Sequence, residues 1–375
     1  MSSVAVGIDL GTTNTVIARD RKTLLIRSGG VERLGLGSSI AFTPSGSVLF
    51  GNLARERRAN DPENTIVSSK RIMGQEWGSA AVNAYQQRYY TELLNDERGP
   101  VFQTRAGKKT ATDVATLLLS EALRGARLDP GKTKAVITIP AAFTAAQRAA
   151  TEQAGRQAGL QEVALLEEPV ATALAHGAAK NARYAAAYDI GGGTFDLCVL
   201  DCTLWPIGML GHGGDLFLGG DDFDEAIAAD IAATLLKDHN WDLRTNDDAF
   251  RRLVGFAEQA KIDLSTAKTV TLDLVDVDPA IPMVDATLTL DRSTVARACY
   301  NIVRRTFRTC DTVFAEVGIR PNELDKLFLA GGATQMPLVR DWVSAFFGIP
   351  PAPDVSPFEV VALGASIAAR EAFSS

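Results

Sequence analysis

The chain has 375 residues, which is enough for two or three domains. Apolar residues make up 46% of it and charged residues 22%, a globular composition that excludes a disordered protein. The formal net charge of −7 argues against a polyanion-binding surface, so no nucleic acid is expected as a partner.

Cysteine content and the N-terminal segment indicate the compartment. Four cysteines are too few for a disulfide framework in a chain of this length. No basic segment precedes an apolar stretch at the N-terminus, so no signal peptide is expected. No apolar run approaches the roughly 20 residues that span a bilayer. We therefore expect a cytoplasmic protein that does not associate with membranes.

The first predicted elements are two strands joined by a polar turn. Residues 4–8 are apolar and β-branched, the chain breaks at residues 9–14 (Asp-Leu-Gly-Thr-Thr-Asn), and residues 15–18 resume the pattern. This predicts a hairpin. Further along the first half, strands are predicted at 135–139 and 163–166, and helices at 144–158 and from 169 to about 180.

The same pattern returns in the second half of the chain. Residues 184–188 lead into the turn 189–194 (Asp-Ile-Gly-Gly-Gly-Thr), and residues 195–200 form the return strand. Placing this turn on the first, an offset of 180 residues, superposes Asp189 on Asp9 and aligns the glycines that follow them. The repeat indicates an internal duplication and an α/β fold. A strand at 326–329, a Gly331–Gly332 turn and helices at 337–347 and 357–372 are predicted to complete this half.

Two stretches interrupt the repeat and are interpreted as insertions, one on each half. Residues about 39–109 are polar and rich in turn formers. Residues about 223–299 contain two predicted helices and then a segment of alternating polarity. No low-complexity linker separates the halves, so a hinged two-lobe body is predicted rather than two independent domains.

The two acidic turns are the most informative feature. A carboxylate at a strand end can hold a hydrated magnesium ion, while the N–H groups and hydroxyls of a Gly/Thr turn can surround phosphate oxygens. Glycine allows the backbone to approach the ligand closely. Either turn alone is more often a plain hairpin turn. Two matched turns half a chain apart favour a clamp on a polyphosphate and its metal.

Three other features have both a functional and a structural interpretation. Lys70 could orient a water that attacks a phosphoryl group, although a Lys-Arg pair is more often a solvated face. Glu168 could support a metal site, or it could be an acid favoured at a helix start. The Gly331–Gly332 turn could bring backbone against a nucleotide, or it could be a tight strand–helix connection.

Two apparent motifs are rejected. Residues 125–133 resemble a P-loop, but five residues rather than four follow the first glycine, and the segment precedes a strand. Cys198 and Cys202 have no neighbouring histidine, so a zinc site is not expected.

Several segments together resemble the signatures of the DnaK-type heat-shock chaperones, over essentially the whole chain. The largest are residues 7–14 (Gly-Ile-Asp-Leu-Gly-Thr-Thr-Asn), 189–196 and 330–337 (Ala-Gly-Gly-Ala-Thr-Gln-Met-Pro), and shorter ones are 139–141, 168–169 and 218–224. The resemblance implies the actin-like ATPase fold, with two lobes around a nucleotide cleft. The implied lobes are residues 1–183 completed by a C-terminal helix at 355–375, and residues 184–354.

The resemblance also implies the parts of a site for ATP or ADP. Asp9 and Asp189 would hold magnesium through water, and potassium near Asp9 and Asp196 is a further implied ion. The residues implied to bind the phosphates are Gly11, Thr12, Thr13, Asn14, Gly191, Gly192, Gly193 and Thr194. The implied catalytic residues are Lys70, Glu168, Asp189, Thr194 and Asp196, and the implied metal-binding residues are Asp9, Asp189 and Asp196. The residues implied to contact adenosine are Glu258, Lys261, Ser265, Gly331, Gly332 and Ala333.

The sequence departs from the family pattern near the adenine and outside the cleft. Gln335 stands where the family has an arginine that stacks on adenine, and Phe358 stands where it has an aspartate. We therefore expect more apolar adenine contacts and weaker affinity. Ala142 and Ala164 replace polar docking positions of the family, so coupling to J-domain helpers is doubtful. The sequence ends at Ser375, before the linker and peptide-binding domain that the resemblance implies. We therefore expect either a shortened chain or a naturally short relative. The altered docking positions favour the naturally short relative.

The leading hypothesis is an ATP-binding, slowly hydrolysing module of the chaperone type, whose nucleotide state controls lobe closure and partner binding. Protein clients, co-chaperones and a nucleotide-exchange factor are the expected partners. A small-molecule kinase of the same superfold would need a general-base aspartate apart from the nucleotide acids, and none stands out. A non-hydrolysing nucleotide sensor or scaffold, or an actin-like filament subunit, remains the alternative.

Overall fold

The computed structural model describes residues 3–58, 60–177, 182–281, 286–353 and 355–374. Strands and helices alternate within them and form several sheets, so the predicted α/β fold class is confirmed. The strands are β1 (Val4–Leu10), β2 (Asn14–Arg19), β3 (Lys22–Thr23), β4 (Ile26–Ser28), β5 (Val31–Arg33), β6 (Leu36–Gly37), β7 (Ile40–Phe42), β8 (Val48–Phe50), β9 (Thr65–Ile66), β10 (Leu93–Asp96), β11 (Gly99–Thr104), β12 (Gly107–Thr110), β13 (Thr133–Ile139), β14 (Glu162–Glu167), β15 (Tyr184–Ile190), β16 (Phe195–Asp201), β17 (Gly208–Asp215), β18 (Thr269–Asp273), β19 (Thr287–Asp291) and β20 (Lys326–Ala330). The helices are α1 (Asn52–Arg57), α2 (Ala80–Arg88), α3 (Ala111–Gly125), α4 (Ala145–Gln157), α5 (Glu168–Ala175), α6 (Gly220–His239), α7 (Asp247–Asp263), α8 (Arg292–Val317), α9 (Pro337–Phe347) and α10 (Val360–Ala372).

The first sheet is built on the N-terminal hairpin. β1 and β2 pair antiparallel, with Ile8 opposite Ile17, as the sequence predicts. β13 lies parallel to β1 and β14 lies parallel to β13, which gives the order β14-β13-β1-β2-β3, and β6 also pairs with β2. Helix α4 provides the crossover that the parallel strands β13 and β14 require.

The second sheet repeats this arrangement. β15 and β16 form an antiparallel hairpin, β20 lies parallel to β15, and β17 pairs with the other side of β16. The resulting order is β17-β16-β15-β20. β15, β16 and β20 therefore correspond to β1, β2 and β13, as an internal duplication predicts.

Local sequence signals define the helix ends. Thr144 caps α4, because its hydroxyl accepts a hydrogen bond from the Gln147 N–H while the Gln147 side chain accepts one from the Thr144 N–H. α5 has Pro169 in its first turn and ends at Ala175, and the predicted continuation to about residue 180 falls partly on residues 178–181, outside the described residues. α10 begins after residue 357, because residues 357–359 form a turn on the Ser356 carbonyl.

Some elements were missed by the sequence patterns. β17 has the sequence Gly-Met-Leu-Gly-His-Gly-Gly-Asp, which has low strand propensity, and its pairing with β16 makes it a strand. α8 was not predicted, because its sequence is largely polar and only a narrow face of the helix is apolar. The side chains that α8 buries recur at helical spacing and include Val295, Cys299, Val303 and Cys310.

The C-terminal helix returns to the first sheet. α10 packs against α5, β1, β2 and β13, and it buries Val360, Ala362, Ala365 and Ala369 completely. The expected insertion limits at residues 223 and 299 fall inside α6 and α8. Of the described helices, none combines the length and apolar character that a membrane span requires.

Two successive phenylalanines at the end of α9 provide a test of how the hydrophobic core in the second half of the chain is packed. The Phe347 ring is buried among Tyr188, Phe314 and Phe346, whereas Phe346 stacks on Phe307 and stays partly exposed. Phe347→Ala is expected to lower the free energy of unfolding by about 3–5 kcal/mol, because it leaves a cavity, and Phe346→Ala to lower it by less. Urea denaturation measures both, and equal losses would contradict this packing.

Candidate functional site

The turn between β1 and β2 is held from behind by Ser38. The Gly11 N–H donates to the Asn14 carbonyl at 3.0 Å and closes the turn. The Ser38 hydroxyl donates to the Gly11 carbonyl at 2.8 Å, and the Ser38 N–H donates to the Thr13 carbonyl at 2.7 Å. No described residue accepts a hydrogen bond from the Thr13 hydroxyl, which is buried. The turn thus keeps hydrogen-bonding capacity for a ligand.

The turn between β15 and β16 has the same closure. The Gly191 N–H donates to the Thr194 carbonyl at 2.9 Å. The Gly191 and Gly192 carbonyls accept hydrogen bonds from the first N–H groups of α6, at 2.9 Å and 2.6 Å. A run of backbone N–H groups in such a turn is a common anion-binding concavity.

The two turns touch each other. A Cβ on Gly192 would lie 1.7 Å from the Thr13 hydroxyl oxygen, so only glycine permits this approach. The ends of β1 and β15 therefore open into one cleft, with about 600 Å³ of empty space. Its lining consists of Asp9, Gly11, Thr12, Thr13, Asn14, Val16, Lys70, Pro140, Glu168, Asp189, Gly191, Gly192, Thr194, Gly331, Gly332, Pro357, Phe358 and Val361.

Lys70 and Glu168 form an ion pair at this cleft. The Lys70 Nζ donates to the Glu168 Oε1 at 2.7 Å, and their side chains are only 8% and 13% exposed. Lys70 lies in a short helical turn after β9, and Glu168 is the first residue of α5. The solvated-face interpretation of Lys70 is therefore wrong, because its side chain is buried.

Buried acids surround this pair. Burial, together with the negative charge of Glu168, raises the pKa of Asp9 to about 7. Burial and the same charge raise the pKa of Asp189 and of Asp196 well above their usual range. The ammonium of Lys70 offsets only part of this charge.

The raised pKa values mean that Lys70 alone cannot keep all of these carboxyl groups ionised, and a divalent cation would supply the missing positive charge. Among the described residues, no group of three His, Cys, Asp or Glu side chains stands close enough to ligate a metal directly. Magnesium keeps several of its own waters and often uses only one or two carboxylates. The residues present therefore fit a hydrated magnesium ion between Asp9 and Asp189.

Several predicted site residues lie just outside the cleft surface. Asp196 is buried opposite Asp189 on the neighbouring strand. The Gly193 carbonyl is turned away to a side chain of the first half, Arg71. Ala333 is buried in the core of the second half.

Glu258 and Lys261 on helix α7, and Ser265 just after it, were predicted to contact adenosine, but they do not line this cleft. Glu258 accepts a hydrogen bond from Arg55 at 2.6 Å. Lys261 bonds Asp224 at 2.7 Å and the Gly220 carbonyl at 3.0 Å. Burial alone would lower the pKa of Lys261, but the charges of Asp224, Glu258 and Asp221 and the contact with Asp224 together outweigh burial and raise the pKa, so the side chain stays charged. Lys261 and Ser265 line a second, smaller pocket of about 220 Å³ with Leu264, Arg292, Val295, Met336, Pro337 and Leu338.

The structure adds residues that sequence reasoning missed. Ser38 and Arg71 support the turns, and neither belongs to a pattern that suggests this. Pro140, which the sequence reading treated only as part of a shared motif, lies in the cleft wall. Phe358, noted above only as a departure, forms an apolar side of the cleft with Val16 and Val361.

A comparison with protein families gives a match over nearly the whole chain. A family model described as Hsp70 protein matches residues 5–371, which is nearly the whole chain. The matched span contains both acidic turns, the Lys70–Glu168 pair and the Gly331–Gly332 turn.

The acid cluster predicts a protein stabilised by removing one charge. Burial first, and then repulsion from Glu168, raise the pKa of Asp196, so ionising this carboxyl above its usual pKa costs stability in the folded state. Asp196→Asn keeps the side-chain size and removes that cost, so the free energy of unfolding of the ligand-free protein near pH 7.5 is expected to rise by about 1 kcal/mol. Asp311→Asn, at an exposed position of α8, is the matched control and is expected to change little. Urea denaturation without magnesium or nucleotide measures both. A lower free energy of unfolding in Asp196→Asn than in the wild type would show that the buried acids do not destabilise one another.

Proposed function

This chain belongs to the Hsp70 family, as its resemblance to the DnaK-type chaperones predicted, and from that premise we propose that it binds ATP in the cleft and hydrolyses it slowly. Members of the family are ATPases that work with client proteins and co-chaperones. The observation that carries the proposal is the contact between two acidic turns with the Lys70–Glu168 pair beside them.

The phosphates of ATP are proposed to bind the two turns. This is supported by the Thr13 hydroxyl, which has no hydrogen-bond partner among the described residues, and by the turn carbonyls, which already accept hydrogen bonds from protein groups. The turns therefore keep donors that can bind an anion. The uncompensated charge of Asp9 and Asp189 supports magnesium held through its own waters. When bound, magnesium neutralises negative charge on the phosphates. Potassium near Asp9 and Asp196 is a further proposal.

Hydrolysis is proposed to depend on positioning of one water. Lys70 is held by Glu168 and would orient this water and offset charge on the γ-phosphate, with Thr194 and Asp196 beside it. The water oxygen attacks the γ-phosphorus in line, the bond to the bridging oxygen breaks, ADP leaves, and the proton of the water ends on phosphate or solvent. Slow turnover is proposed because the resemblance to the DnaK-type chaperones implies it.

Nucleotide state is proposed to control the approach of two lobes, residues 1–183 with 355–375 and residues 184–354. Adenosine is proposed to reach the smaller pocket at Lys261 and Ser265. Three side-chain contacts join the insertion of the first half to the second half and support a closing motion: Arg55–Glu258 at 2.6 Å, Arg88–Asp222 at 3.0 Å and Tyr89–Asp221 at 3.2 Å.

Client proteins, co-chaperones and a nucleotide-exchange factor are the proposed partners, and they would read lobe closure. A cytoplasmic location is proposed from the four free, buried cysteines, which suit a reducing compartment.

Removing the lysine is the direct test of the hydrolysis step. Lys70→Ala is expected to lower single-turnover ATP hydrolysis by about 10²–10³-fold, with ATP affinity changed far less, because the ammonium acts on the transferring group. Lys132→Ala, at a half-exposed position of the rejected P-loop, is the control and should keep the wild-type rate. Equal rates in all three proteins would remove the mechanism. Tight ATP binding by a wild type that releases no phosphate would favour the nucleotide sensor.

Magnesium dependence tests the role of the acidic turns. Asp189→Asn is expected to raise the magnesium concentration for half-maximal hydrolysis by about tenfold or more, because one carboxylate facing the hydrated ion loses its charge. A magnesium titration of phosphate release, with Asp311→Asn as the control, measures the change. An unaltered titration in Asp189→Asn would place the metal elsewhere.

A further inference from the structure

Arg71 is a buried cation that the proposed mechanism does not use. Its side chain is fully buried, and its Nη2 donates to the Gly193 carbonyl at 2.5 Å. Among the described residues, none accepts a hydrogen bond from its Nε or Nη1. The nearest carboxylate oxygen, on Asp221, is 3.6 Å away. Burying a charge with so few partners is unfavourable, and such conflicts concentrate at functional sites.

Aromatic rings hold the guanidinium in place. Its central carbon lies 4.6 Å from the centre of the Phe217 ring and 5.6 Å from that of Tyr89. The Tyr89 hydroxyl donates to Asp221 at 3.2 Å, so the ring is itself anchored. These contacts orient Arg71 toward one acceptor, the Gly193 carbonyl.

That acceptor completes a row of three carbonyls in the second turn. Gly191 accepts from the Gly220 N–H, Gly192 accepts from the Asp221 N–H, and Gly193 accepts from Arg71. The first two donors are the start of α6, in the same half of the chain. The third donor comes from the first half, so the second turn is complete only when the two halves lie together.

The first turn differs from the second in where its hydrogen-bond donors come from. Its carbonyls accept hydrogen bonds from Ser38, which follows the strand β6 paired with β2, so its support is local. In the part of the second half that the structure describes, no group donates a hydrogen bond to the Gly193 carbonyl. A Cβ on Gly193 would lie 2.2 Å from the Arg71 Nη2, so the third glycine of the turn makes room for the guanidinium.

Lys70 and Arg71 are successive residues that serve opposite sides of the turn. Lys70 bonds Glu168 at the cleft, while Arg71 bonds Gly193 behind it. Both lie in the short helical turn Ser69–Ile72, which follows Ser68 in a left-handed conformation with φ 51°. One rigid segment of the first half therefore acts on the cleft acid and on the phosphate turn together.

We propose that Arg71 is a positioning residue for the second phosphate turn. It holds the Gly193 carbonyl away from the phosphate oxygens and makes the shape of the turn depend on the approach of the two halves. The inference rests on the proposed function, since it assigns this turn to the phosphates of ATP. Without the guanidinium, the Gly193 carbonyl is free to rotate, and its oxygen then repels the anionic ligand.

The test compares Arg71→Met, which keeps an apolar stem but cannot donate, with Arg71→Lys, which keeps the positive charge and a single donor nitrogen. Arg88→Met is the matched control, because Arg88 also joins the two halves, through Asp222 and Glu225, without contacting the turn. Calorimetry gives the affinities for ATP and for AMP, and single-turnover assays give the rate. Deuterium uptake by residues 190–195 of the nucleotide-free protein reports the turn itself.

Arg71→Met is expected to lower ATP affinity and hydrolysis about tenfold or more while AMP affinity stays within twofold, and to raise deuterium uptake at 190–195. Arg71→Lys should recover part of each, and Arg88→Met should leave the ATP-to-AMP ratio and the uptake unchanged. The inference would be overturned if Arg71→Met kept the wild-type ratio of ATP affinity to AMP affinity, or if Arg71→Met and Arg88→Met lost ATP affinity equally. A wild type that binds no ATP would instead overturn the proposed function, and unchanged uptake in Arg71→Met would still refute the positioning role.

Discussion

The site depends on the contact between two glycine turns, where Thr13 of the first packs against the α-carbon of Gly192 in the second. Because these turns end β1 and β15, the contact brings Asp9 and Asp189 to one cleft. A side chain at Gly192 would separate them. The two sheets, each a hairpin with a parallel strand added, serve to present the turns to each other at this distance.

The contact has an electrostatic consequence. Asp9, Asp189, Asp196 and Glu168 are gathered in a buried region that contains one compensating ammonium, that of Lys70. The helix ends follow local rules, as the capping box of α4 shows. A cluster of buried acids departs from such rules, and departures of this kind concentrate at ligand-binding sites.

The duplication is not symmetric in how its two turns are supported. The first turn is held by Ser38 from an adjacent strand, and the second by α6 and by a guanidinium from the opposite half. The geometry of the second turn therefore includes a hydrogen bond between the two halves of the chain. The ion pairs Arg55–Glu258 and Arg88–Asp222 also join the two halves, without contacting the turn.

The sequence by itself determined the two hairpins, their acidic turns, the helices α4 and α9, and the family, because these depend on short-range patterns and on a repeat that spacing reveals. It did not predict β17, which pairing alone makes a strand, or the helix α8. Only the tertiary structure decided that Lys70 is buried against Glu168, that Lys261 is engaged by Asp224, and that Ser38 and Arg71 stand behind the turns. The physical reason is that these hydrogen bonds join residues far apart in the chain, whose approach depends on the packing of whole sheets and helices rather than on neighbouring residues.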